Sequence, residues 1–220
     1  MVFGRLPEPG RTKTRLIPGL GAEGAALLYQ AFLDDAMAVS QRADRGIESE
    51  LWVPHRPGAV ATLAARYPGA RIRIQPGGSL GDRLRAAFDR AFTEGCQAAV
   101  AQGSDHPTLP PAFLAQARMA LESGADIVVC PAADGGYCLI GLPARVWPAA
   151  GGLFANDAPW SAPRLLQWTR RTAAELGLEW SELPGWYDVD EPEDLPRLQQ
   201  DMRPETATAA AWAAVAVAVR

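Results

Sequence analysis

Four short segments hold most of the residues whose types and spacing could do polar chemistry. The first, Gly4-Arg5-Leu6-Pro7-Glu8-Pro9-Gly10-Arg11-Thr12-Lys13-Thr14-Arg15-Leu16, sets four cations and two hydroxyls among turn-forming glycines and prolines. Backbone N–H groups and charged donors on a loop that follows a strand are what pyrophosphate oxygens need. The order GxxxxGK[ST] is absent, so this is not a Walker loop. Lys13 is the only lysine in the chain, which otherwise uses arginine for every fixed cation, and this points to a use for a compact ammonium at that position. A solvated turn is the plain alternative.

The second segment, Gly103-Ser104-Asp105-His106-Pro107, follows an apolar run ending at Ala101. Ligands of open parallel sheets sit beyond the carboxyl ends of strands, and a carboxylate there can hold Mg²⁺ or Mn²⁺, which in turn bridge phosphate oxygens. Asp105 could equally form a turn or cap a helix, and His106 reads as a turn or packing residue. The third, Asp134-Gly135-Gly136-Tyr137, leads into a strand-like run. Its paired glycines allow a close backbone approach or positive φ, with Asp134 and Tyr137 as polar and stacking groups. A hairpin turn explains it as well. The fourth, Asp188-Val189-Asp190-Glu191-Pro192-Glu193-Asp194-Leu195, puts Asp188 and Asp190 on one face of an extended segment, able to share a cation with Asp105. The same residues also look like an acidic helix start, and the two readings are compatible.

Alternating elements must position these segments. Short apolar runs at 1–3, 51–53, 71–74, 98–101, 126–130, 137–142 and 178–183 alternate with helical spacing at 23–41, 58–67, 80–94, 111–123 and 162–176. That alternation predicts one α/β domain, a three-layer α/β/α sandwich around a mainly parallel sheet. The Pro/Gly-rich stretch 143–152 reads as an irregular excursion over the sheet and a candidate acceptor-side loop. With three residues ahead of Gly4, the first strand is short and its start is expected to be clipped. The transferase domain is placed at 1–202, followed by an Ala/Val-rich tail at 203–220 that reads as a frayed or packed terminal helix.

At 220 residues the chain suits one domain, and a net charge of −4 gives no general attraction to nucleic acid. Cys96, Cys130 and Cys138 lack zinc or redox spacing and read as reduced thiols. No run of eighteen apolar residues and no leader pattern is found, so a cytoplasmic protein without a membrane span is expected, with a homo-oligomer allowed.

Taken in order, the four segments, together with Phe154 and Trp160-Ser161, resemble over nearly the whole chain a bacterial family of glycosyltransferase-A (GT-A) type, the arsenosugar-biosynthesis glycosyltransferases of the nucleotide-diphospho-sugar transferase superfamily. They resemble more distantly the molybdenum-cofactor and 2-phospholactate guanylyltransferases. The resemblance implies a nucleotide cradled by Gly4, Arg5, Gly10, Lys13 and Arg15 with Ser104. It implies a metal, Mg²⁺ or Mn²⁺, on Asp105 and Asp190 with Asp188 as helper, and Asp105 and Asp190 as catalytic residues. The acceptor side would be Asp134, Gly135, Gly136, Tyr137, Trp160 and Ser161. This sequence departs from the family pattern in having Arg5 for a lysine and His106 for a cysteine.

The expected partners are therefore a nucleotide sugar or nucleoside triphosphate and a small-molecule acceptor. Metal-dependent sugar transfer is the leading expectation and nucleotidyl transfer the second. A catalytically silent nucleotide-binding module is the third, whose mark would be missing metal ligands.

Overall fold

The structure is a computed structural model that describes residues 1–42 and 47–218. Its elements are, in chain order, β1 (Val2–Phe3), α1 (Ile17–Gln41), β2 (Glu50–Val53), α2 (Ala59–Arg66), β3 (Arg71–Ile74), α3 (Leu80–Thr93) and β4 (Ala98–Gly103). They continue with α4 (Ala112–Glu122), β5 (Ile127–Pro131), β6 (Tyr137–Pro143), α5 (Leu165–Glu175), β7 (Trp180–Glu182), α6 (Leu195–Asp201) and α7 (Ala207–Ala218). The chain is an α/β protein whose strands pair mainly in parallel. It forms two compact units, one of residues 2–74, 103–110 and 188–220, the other of Met1, 75–102 and 111–187.

In the first unit β1, β2 and β3 run parallel, with Val2 opposite Leu51 and Leu51 opposite Ile72. Val2, Leu51 and Val53 from the strands meet Leu33 and Met37 of α1 and Leu63 of α2 in one apolar cluster. Leu33 and Met37 are one helical turn apart, so α1 presents them on the same face. By length and composition alone, residues 14–41 are apolar enough to cross a bilayer, yet Leu28, Tyr29, Phe32, Leu33 and Met37 are buried in this unit.

The tail forms α7 on α1. Asp35 accepts hydrogen bonds from the N–H groups of Ala207 and Thr208, both at 2.9 Å, which caps the helix start. Gly24 lets the two helices approach, since a Cβ there would stand 3.2 Å from Val215. Val219 and Arg220, the end of the expected tail, lie outside the described residues.

In the second unit β6 pairs antiparallel with both β4 and β5, and β7 pairs parallel with β5. The reversal at β6 follows from the short turn at 132–136, because a strand joined to its neighbour by a few residues must run back along it. The 143–152 stretch is made of 3-10 turns at Ala144–Val146 and Ala149–Phe154. It is anchored by buried Phe154, whose ring stacks on Phe88 at 5.3 Å between centroids. Cys96, Cys130 and Cys138 form no disulfide, and Cys130 and Cys138 are buried.

Candidate functional site

The first unit brings the opening loop, residues 103–107 and the 188–191 lead-in together through ordinary backbone chemistry. The N–H of Ser104 donates to the carbonyl of Phe3 at 3.2 Å, and the N–H of Val189 donates to the carbonyl of Asp105 at 2.9 Å. Two short backbone links thus align three segments far apart in sequence. Tyr29 ties them further. Its hydroxyl shares a 2.8 Å hydrogen bond with Ser104 and accepts one from the Arg5 N–H at 2.8 Å. Gly4 makes room for this arrangement, because a Cβ there would come within 2.9 Å of Leu33.

The charged groups converge on one atom. Lys13 Nζ lies 2.5 Å from Asp105 Oδ1 and 2.5 Å from Asp190 Oδ1, so these two oxygens are at most twice that distance apart. The lysine side chain is only 6% exposed, whereas the carboxylates are 43% and 42% exposed. The ammonium also sits 5.8 Å from the ring centres of Tyr29 and Phe32, within cation–π range. Burial works against the charge on Lys13, but the adjoining carboxylates of Asp105 and Asp190 outweigh it and hold its pKa above 10.5. Burial likewise opposes ionisation of Asp190; the Lys13 charge and the hydrogen bonds of Lys13 and Asp188 reverse this, so its pKa lies below the ordinary carboxylate value. Tyr29 is pushed well up, chiefly by burial and then by the Asp105 charge, and stays a neutral phenol.

The backbone at Lys13 has φ 47° and ψ 49°, the left-handed region. A lysine there is strained unless its surroundings hold it, and the two ion pairs do. The loop around it is pinned by Thr12, whose hydroxyl donates to the Leu6 carbonyl at 2.8 Å and accepts from the Glu8 N–H at 3.1 Å. Gly10 turns it with φ 75°. Arg15 pairs with Glu191 at 3.0 Å, both side chains largely exposed. Asp194 takes the N–H groups of Asp190 and Glu191 at 2.9 and 2.8 Å, so the acidic run starts a helix while its lead-in still presents Asp190. The helix-start reading of that segment holds, and its lead-in leaves Asp190 on the Lys13 ammonium that Asp105 shares.

Of the expected metal ligands, Asp105 and Asp190 stand on one cation, with Asp188 hydrogen-bonded to Asp190. Among the described residues no group of three or more acidic, His or Cys side chains is arranged to hold a metal. Two carboxylate oxygens are what these residues could offer a hard ion, whose shell water and phosphate would complete, and the place between them is taken by Lys13 Nζ. Tyr29, Phe32 and Glu191 are the members that sequence reasoning missed. Tyr29 and Phe32 sit within an apolar helical pattern, which marks them as core.

The expected acceptor-side residues lie in the second unit, where most of them also build local structure. Asp134 accepts from the Gly136 N–H at 2.8 Å, and the Gly135 N–H donates to the Ala132 carbonyl at 3.1 Å, which makes the hairpin turn between β5 and β6. The Gly135 carbonyl takes the Leu166 N–H at 2.9 Å at the start of α5. A Cβ on Gly135 would lie 1.9 Å from the Pro163 carbonyl oxygen, at a residue whose φ is 89°. Trp160 packs its ring on Gly81 of α3, where a Cβ would come within 2.6 Å, and donates from Nε1 to the Ala155 carbonyl at 3.1 Å. Ser161 is exposed with φ 62°. Tyr137 begins β6; its hydroxyl is buried without a partner among the described residues, and burial raises its pKa.

This fold is shared with nucleotide-diphospho-sugar transferases and cytidylyltransferases. The chain resembles a candidate nucleotide-diphospho-sugar transferase from Desulfovibrio desulfuricans G20 at 28% identity and a TM-score of 0.88, with 100% of this chain and 95% of the other covered. A cytidylyltransferase from Leptospira borgpetersenii serovar Hardjo-bovis superposes with a TM-score of 0.60 at 11% identity, covering 99% and 92% of the two chains. Rv0371c of Mycobacterium tuberculosis H37Rv, solved in complex with manganese, gives 0.51 at 22% identity, covering 91% and 99%. The last two show likeness of fold alone. No curated protein matches the sequence significantly. The chain belongs to the family described as "Uncharacterized protein conserved in bacteria (DUF2064)", which matches residues 37–162.

Proposed function

We propose that the protein is a divalent-metal-dependent glycosyltransferase that uses a nucleoside-diphosphate sugar and a small-molecule acceptor. The observation that carries this reading is the convergence of Asp105 Oδ1 and Asp190 Oδ1 on one cationic atom at 2.5 Å each, beside the Gly/Pro loop with Arg5, Arg11 and Arg15. Two converging carboxylates that are each about two-fifths exposed suit a metal that also binds phosphate. The likeness to a candidate nucleotide-diphospho-sugar transferase along the whole chain supports the same reading. A bound metal would offset the charge of the departing nucleoside diphosphate.

The chain's own residues supply the rest. Asp105 and Asp190 hold the cation, Asp188 orients Asp190, and the loop N–H groups with Arg5 and Arg15 bind phosphate oxygens by charge-assisted hydrogen bonds. Nucleotidyl transfer is the second reading, favoured by the likeness to a cytidylyltransferase.

Products separate the two. With Mn²⁺ and no acceptor, purified protein is expected to hydrolyse a nucleoside-diphosphate sugar slowly to nucleoside diphosphate and free sugar, and Asp105→Asn to lower that rate at least about 100-fold. Pyrophosphate released from a triphosphate with an acceptor, without turnover of any sugar nucleotide, would establish the second reading instead.

A further inference from the structure

We propose that Lys13 is the resident counter-cation of the aspartate pair and that a divalent metal enters the site by displacing it. This rests on the reading of Asp105 and Asp190 as the metal-holding residues. The geometry makes the two cations alternatives. A divalent ion bonded to Asp105 Oδ1 and Asp190 Oδ1 would lie roughly 2.0–2.6 Å from each, and Lys13 Nζ already stands 2.5 Å from both. Two cations cannot share that place, since at such a separation their repulsion is unscreened by water on the buried lysine side.

The lysine is also placed to leave. Its backbone is left-handed at φ 47° without glycine, a strained conformation that the hydrogen bond and salt bridges at Nζ help to hold together with the 2.9 Å bond from the Leu16 N–H to the Lys13 carbonyl. The carboxylates it would release are each about two-fifths exposed, so a hydrated ion can reach them from solvent while the ammonium sits behind. Arg5, Arg11 and Arg15 are ill suited to such a role, because a planar guanidinium does not vacate one point as a compact ammonium does. That accounts for lysine at this one position in a chain that is otherwise all arginine.

The single lysine makes the test direct. Protein grown with ¹³Cε-labelled lysine shows one lysine side-chain resonance, which is followed by NMR as Mg²⁺ is added without nucleotide. The expected result is a shift of that resonance that saturates at the same Mg²⁺ concentration as the heat of binding in calorimetry, with loss of exchange protection of the ammonium protons. In parallel, Lys13→Met is expected to bind Mg²⁺ about tenfold more tightly than wild type, because a site held by its own lysine most of the time is rarely open to metal.

Saturable Mg²⁺ heat with an unmoved lysine resonance would overturn the displacement, as would equal or weaker binding by Lys13→Met, while the metal reading stood. If neither protein bound Mg²⁺, the metal reading itself would fall and this inference with it. The resonance is read on wild-type protein, so the outcome does not depend on whether the variant folds.

Discussion

The Lys13 cluster in the first unit and the Asp134-Gly135-Gly136 turn in the second were both singled out by residue type, and they use polar residues in opposite ways. Around Lys13 the charges face one another across 92 and 177 residues of sequence, and the carboxylates remain partly open to solvent. At the turn, Asp134 spends its carboxylate on the N–H of Gly136, two residues away, and Gly135 is wedged against a backbone carbonyl. The first arrangement joins distant segments through charge; the second fixes the entry to α5. Similar-looking motifs can therefore use their polar groups across the fold or within one turn, and what divides them is where each side chain's hydrogen bonds go.

The sharpest way to break this contrast is at Gly135. Gly135→Val places a β-branched side chain at φ 89° with its Cβ 1.9 Å from a backbone oxygen, and the expected loss is at least about 3 kcal/mol of stability or failure to fold. Gly10→Ala, at φ 75° with open space around it, should cost only about 1 kcal/mol by denaturant unfolding. Equal losses would mean that Gly135 is not wedged.

Asp190→Asn strips one partner from a lysine that is 6% exposed. Because the carboxylate itself is 42% exposed, screening reduces the cost of breaking a buried pair to about 1–2 kcal/mol. The pH dependence sharpens the same point. Lys13 has a raised pKa, so its contribution is complete below 10.5 and is lost as pH climbs through the folded value above that. Asp190 has a lowered pKa, so its contribution is complete above 3.8 and is lost as pH falls through the folded value below that. The stability difference between wild type and Lys13→Met should therefore be level from about pH 5 to pH 10 and shrink at both ends. A slope near neutrality would show that other groups dominate.

Ser161→Gly is expected to have the smallest effect, a gain of up to about 1 kcal/mol, because it relieves a left-handed residue that is exposed. A loss would reveal a contact made by its hydroxyl.

Much of the fold could be read in the chain. The 71–74 strand and the 80–94 and 111–123 helices agree with β3, α3 and α4 to within a residue or so at each end, because their apolar spacing is regular and α3 starts with a Ser79–Asp82 capping box. The direction of β6 was less legible. An Asp-Gly-Gly turn before a strand can be read as a ligand loop or as a hairpin, and only pairing decides. Asp105 and Asp190 were visible as acidic residues beside turns, but their common partner was not, since nothing in local spacing shows that Lys13 reaches both. Tyr29 was hidden for another reason: a tyrosine on the apolar face of a helix looks like any other core residue until its hydroxyl finds Ser104 and Arg5.

The hydrogen bond from Lys13 to Asp190 also closes a loop of 177 residues. During synthesis the lysine leaves the ribosome long before its second carboxylate exists, at roughly 5–20 residues per second some ten seconds or more earlier. The cluster is thus a long-range contact whose closure costs more chain entropy than a local turn does. A chain ending at Tyr187 would carry Lys13 and Asp105 but neither Asp190 nor the buried Leu198 and Val215. The Lys13 ammonium would then face one carboxylate in place of two, so its double pairing becomes possible only after residue 190 has been made.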